Sequence, residues 1–190
     1  MSSRKRAKNH SVYQLKITLK GSKPPIWRRV QVADNTTLSE LHKIIQVAMG
    51  WWDTHLHQFI IHGEIFGIPV PDFDFIKVKS ERNVKLSGVI SSEKDKFIYE
   101  YDFGDSWAHV ILVEKILPPD PNISYPICLK GKRACPPEDC GGIWGYNDFL
   151  EAIQNPDYPE HDDMLEWVGG EFDSEAFSLD EVNSRLKNII

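Results

Sequence analysis

The chain has no apolar run approaching the roughly 20 residues a bilayer-spanning helix needs, which excludes a helical membrane protein as the expectation. No signal-type apolar stretch follows its first ten residues, so a cytoplasmic protein is expected. Cysteine is scarce: Cys128, Cys135 and Cys140 make an odd count that does not build a disulfide framework. There is no Walker loop, no Gly-x-Ser-x-Gly elbow, no Gly-x-Gly-x-x-Gly turn and no His-Glu-x-x-His helix. Nucleotide, α/β-hydrolase and zincin chemistry of the familiar kinds therefore lack their signatures. Internal repeats and splitting linkers are absent as well.

What is present suffices for one core. With 190 residues, 41% of them hydrophobic, a single domain is expected over 11–190. Residues 1–10 read as a flexible basic tail. Arg4, Lys5, Arg6 and Lys8 lie there with no acid, so the rest of the chain carries −10 against a total of −6. An acidic body repels phosphate backbones and disfavours nucleic acid as a partner, although the tail leaves an anionic partner open.

Tyr13, Leu15, Ile17 and Leu19 alternate with polar residues, the period of a half-buried strand. After a Gly21–Pro25 turn, Ile26–Val32 reads as its hairpin partner. Thr37 with Glu40 is a capping-box pair; Leu38, Leu41, Ile44, Ile45 and Ala48 then share a helical face ending at Gly50. His57–Phe66 reads as a third strand, Gly67–Glu81 as a loop and Val84–Ile90 as a short strand. Phe97–Phe103 and Trp107–Ile116 read as a hairpin turning at Gly104-Asp105-Ser106. Leu117–Gly145 reads as a long loop, and loops of that length are often functional. Helical faces follow at Tyr146–Ile153, Met164–Val168 and Leu179–Ile189, the last opened by Ser178 and Glu181. The expected fold is α+β: a curved, mostly antiparallel sheet of five or six strands, one helix after the first hairpin, and C-terminal helices packed on it.

Three clusters carry candidate chemistry. His55 and His57, two apart on an extended strand, would face one side and offer half of a metal site; as packing residues beside Trp51 and Trp52 they need no metal. Asp102 and Asp105 flank a turn ahead of His109. They suit turn chemistry, and they also suit catalytic or metal-ligating work with that histidine. Glu138 and Asp139 sit in a Pro-braced loop between Cys135 and Cys140. The cysteine gaps, six and four residues, suit structural zinc poorly, since only the second fits.

Pro25-Ile26-Trp27-Arg28-Arg29, Gly50-Trp51 with His55-Leu56-His57-Gln58-Phe59, Tyr101-Asp102-Phe103-Gly104-Asp105-Ser106-Trp107 with His109, and Ala134-Cys135-Pro136-Pro137-Glu138-Asp139-Cys140-Gly141-Gly142 with Gly145-Tyr146 form an ordered set. That set resembles the plasmid pRiA4b ORF-3-like family, from about residue 11 to about residue 186. The resemblance fixes no activity. Labels on some members, a transposon resolvase or a repressor with an added DNA-binding segment, imply association with mobile elements. This chain shows neither a serine-recombinase pattern nor a helix-turn-helix.

Three functions are consistent with these residues. The first is a ligand- or protein-binding module whose pocket is lined by Trp51, Trp52, Tyr101, Trp107 and Tyr146 and rimmed by Asp102, Asp105, Glu138 and Asp139. The second is a metal-assisted hydrolase with His55, His57, His109 and Asp102 or Asp105 as ligands of a divalent metal, and Glu138 as base. The third is a DNA-binding accessory of a mobile element. The first two require the segments around 55, 105 and 138 to meet; the third would act through the basic tail.

Overall fold

A computed structural model of the chain describes residues 10–69 and 77–189. Eight strands form one open sheet among those residues, in the order β5-β4-β3-β6-β7-β1-β2-β8. They are β1 (Val12–Leu19), β2 (Trp27–Ala33), β3 (His57–Ile61), β4 (Glu64–Gly67), β5 (Val78–Ser80), β6 (Lys96–Tyr101), β7 (Trp107–Leu117) and β8 (Ile127–Lys132). Every neighbouring pair is antiparallel except β4 with β5. Five helices accompany it: α1 (Leu38–Met49), α2 (Leu86–Val89), α3 (Gly142–Gln154), α4 (His161–Trp167) and α5 (Leu179–Leu186).

The α+β class holds, with more strands than the five or six expected. His57–Phe66 is two strands rather than one, because His62 (φ 51°) and Gly63 (φ 81°) make a tight hairpin turn. Part of the long loop forms β8 and pairs with β2. Part of the Gly67–Glu81 loop forms β5, while 70–76 lie outside the described residues. Val84–Ile90 contains the helical turn α2 instead of a strand. Leu86 and Ser87 donate their amides to the carbonyls of Thr36 and Asp34, so tertiary contacts decide that turn.

Alternation sorts the sheet into two faces. One face carries Leu15, Ile17, Val30, Phe59, Tyr99, Tyr101, Trp107, Ile111 and Val113, all buried. The apolar stripe of α1 covers it, entered through the reciprocal Thr37–Glu40 capping box and left through Gly50 at φ 113°. The opposite face is polar, with Arg29 held by Glu114 at 2.6 and 2.8 Å. One inward position is occupied by a charge. Arg28 is buried, yet its guanidinium donates to five carbonyls, those of Trp27, Ala48, Met49, Lys132 and Arg133. Two of these belong to the C-terminal turn of α1, the negative end of its dipole. Burial lowers the guanidinium pKa.

Candidate functional site

The three motif segments, far apart in sequence, meet at one end of the sheet. The segment leaving α1 carries Trp51 to His55, the β6–β7 turn carries Asp102 to Ser106, and the Pro-Pro-Glu-Asp-Cys-Gly-Gly loop enters α3.

Glu138 ties the first and third of these together. One carboxylate oxygen accepts from the Trp52 amide at 2.5 Å and the Tyr101 hydroxyl at 3.1 Å; the other accepts from the Thr54 hydroxyl at 2.5 Å. The same Tyr101 oxygen accepts from the Thr54 amide at 2.9 Å. Burial, with Glu138 adding to it, raises the Tyr101 pKa. Asp105 ties the second segment to the third by accepting from the Gly141 amide at 3.1 Å, at the entry of α3. Glycine is required where these segments close. A Cβ on Gly142 would lie 2.5 Å from the Asp105 carbonyl oxygen, and one on Gly145 would lie 1.9 Å from that of Cys140.

Inside this frame stands His55. Its Nε2 is shielded from solvent and makes no aligned hydrogen bond. Around it lie Oδ1 of Asp139 at 3.1 Å, Oδ2 of Asp102 at 3.7 Å and Oε2 of Glu138 at 3.9 Å. Asp102 is buried, and its other oxygen accepts from the Gly104 amide at 2.9 Å, which leaves Oδ2 for His55. Asp139 is 69% exposed. Asp102 and Asp139 sit at φ 56° and 60°, a left-handed conformation that Asp tolerates at some cost and that gathers at functional sites.

Other expected site residues lie elsewhere. His57 faces a different cluster: its Nε2 is 2.9 Å from Glu81, and its ring stacks on His42 at 3.4 Å, 3° from parallel. β3 begins only at His57, so His55 precedes the strand and the expected shared face is lost. His42 in turn contacts the Tyr99 hydroxyl and Asp53, both at 2.8 Å. His42, Asp53 and His57 could gather about an ion, but parallel rings aim their in-plane lone pairs side by side, not at a common point. Burial, then His57, lowers the His42 pKa to about 4. His109 is fully enclosed against Trp51 and Tyr99, and burial brings its pKa down to about 4. It reaches neither His55 nor solvent, so of the expected ligands only His55 and Asp102 stay together, and Asp139, expected at the rim and not as a ligand, joins them.

The aromatic lining contracts too. Trp51, Tyr101, Trp107 and Tyr146 are core residues: the inward alternation of β6 and β7 carries Tyr101 and Trp107 under the site, the inner face of α3 carries Tyr146, and Trp51 packs against Tyr101 and Trp107 where the chain leaves α1. Trp52 alone of the expected lining is exposed, at 76%, with Arg185 above its ring. Exposed Leu56 and Phe103 flank His55 and Asp102; simple adjacency to those residues was the signal that would have found them. Cys128, Cys135 and Cys140 are free thiols. Burial raises all three pKa values, that of Cys140 to about 12, so none is an activated nucleophile.

Residues 11–181 match the model of the plasmid pRiA4b ORF-3-like protein family. The chain belongs to this family. A curated member, the uncharacterized protein y4hQ of Sinorhizobium fredii, is 37% identical over 180 residues, covering 94% of this chain and 92% of its own. A crystal structure of the protein of unknown function MM3350 from Methanosarcina mazei Go1 has a similar fold, with a TM-score of 0.83 and 41% identity. That match covers 90% of this chain and 96% of the other. Family membership thus agrees with the fold and carries no activity with it. Among the described residues no helix is long and apolar enough to cross a membrane.

Proposed function

We propose that His55, Asp102 and Asp139 hold a divalent cation and that the protein works as a cation-dependent hydrolase at this site. One observation carries the reading: a solvent-shielded imidazole nitrogen points among carboxylate oxygens without an aligned hydrogen bond. The three donor atoms lie within 4.8 Å of one another. Donors about 2.1 Å from a tetrahedral ion stand roughly 3.4 Å apart, and the distances of 3.1 and 3.7 Å bracket that value. One nitrogen with two carboxylates suits zinc, manganese or iron. Three protein donors leave positions open for water and substrate, as catalytic centres do. A cation there would activate water or polarise a substrate oxygen. Glu138, once a candidate base, is committed to its three donors and serves to position the loops.

Tag-free protein dialysed against chelator should take up one equivalent of zinc or manganese in a calorimetric titration and melt at a higher temperature when loaded. His55→Ala should abolish the uptake. No stoichiometric uptake, or equal uptake by the variant, sinks the reading.

A binding module, the first function the sequence suggests, is the second reading here, favoured by the exposed Trp52, Leu56 and Phe103 around the same acidic centre. A surface of that kind would recognise a partner through the apolar rim whether or not a cation is present.

A further inference from the structure

A second hollow, of about 470 Å³, opens between α3 and α4 and shares Asp139 with the cation site. Its walls are of two kinds. Phe149, Met164 and Trp167 supply apolar surface, the Trp167 ring standing edge-on to Phe149 at 5.8 Å and half exposed. Asp148 and Glu160 join Asp139 as carboxylates. Among the described residues no lysine or arginine pairs with any of the three.

The sequence explains why. Between Ala134 and Ser184 stand 14 of the chain's 28 acidic residues, and no lysine or arginine. The hollow therefore joins carboxylates that no lysine or arginine neutralises to an aromatic surface. An anion is repelled there, and a neutral apolar molecule would strip water from carboxylates without replacing it. A cation on a short apolar stem satisfies both walls. Its charge meets the carboxylates, its stem covers Met164 and Phe149, and an indole face attracts ammonium.

We propose that the α3–α4 hollow binds an alkylammonium ligand. The volume lies in the range of small-molecule pockets, which favours a free ligand over a macromolecular surface. This inference goes beyond the cation reading and does not depend on it.

Calorimetry on the full chain in chelator and low salt tests it, with 1,5-diaminopentane as probe and 1,5-pentanediol as its neutral counterpart. The diamine should bind saturably at one site and the diol should not. The paired substitution Asp148→Asn with Glu160→Gln should weaken the diamine by at least about tenfold, and Trp167→Ala by several-fold. Asp148 and Glu160 are exposed, so an unchanged melting temperature should accompany the first variant. Equal binding of the diol, or diamine binding indifferent to the paired substitution, overturns the proposal. A blocked lysine peptide binding tenfold more tightly than the diamine overturns the small-ligand occupant in favour of a protein side chain. His55→Ala should leave diamine binding in place, which separates this test from that of the cation site.

Discussion

The guanidinium of Arg28 and the Nε2 atom of His55 are both shielded from solvent, and they end in opposite conditions. Arg28 finds five carbonyls at 2.7 to 3.4 Å, so every N–H of its guanidinium is engaged. His55 Nε2 finds three carboxylates at 3.1 to 3.9 Å and no aligned bond. Both residues belong to motifs of the family pattern, so a motif alone did not distinguish them. Saturation does. A saturated buried polar group holds the fold together, whereas an unsaturated nitrogen among carboxylate oxygens is poised for something to enter.

The sharpest attack on that contrast is Arg28→Met. It orphans five carbonyls, two at the end of α1, and should cost about 3–5 kcal/mol in denaturant unfolding. A loss under about 1 kcal/mol would break the comparison on the Arg28 side. Glu138→Ala should cost about 2–3 kcal/mol by leaving Trp52, Thr54 and Tyr101 donors unpaired, and should weaken cation uptake through loss of positioning. Asp102→Asn should change stability by no more than about 0.5 kcal/mol, since asparagine accepts positive φ and retains the Gly104 amide. Its cation affinity should nevertheless fall at least about tenfold. A large stability loss there would show that Asp102 belongs with Arg28 as a structural group.

A smaller effect concerns pH. His42 and His109 have folded values lowered to about 4, against about 6.5 when unfolded. Their contribution is whole above pH 6.5 and is lost as pH falls from there toward 4, because only the unfolded chain takes up the protons. His109→Leu should flatten roughly half of that decline, measured as the wild-type-minus-variant difference in melting temperature across the window.

Much of the fold was legible because local signals agreed with tertiary ones. The alternation in β1, the Thr37–Glu40 box and the β6–β7 turn each specified their element. Where the structure departed, the cause lay in contacts distant in sequence or in a signal passed over. β8 is a short, lysine-bearing strand among prolines, recognisable only by its partner β2. α2 is one turn held by carbonyls of 34 and 36. Gly63 was a readable hairpin mark inside the run His57–Phe66. Of the site, the meeting of the segments at 55, 102 and 138 could be anticipated from the motifs. Which histidine faced the carboxylates could not, since it turns on β3 starting at His57.

The ties of Glu138 reach back 84 and 86 positions, to Thr54 and Trp52. Closing so wide a span costs entropy that must be spent before the contacts return anything. The acidic centre therefore exists only in molecules that have gathered the stretch from Trp51 to Gly142. A fragment ending at β7 would retain His55 and Asp102 but lack Glu138 and Asp139. Occupancy of the centre thus doubles as a reporter that these three segments have come together, silent in any species where the loop ahead of α3 has not docked.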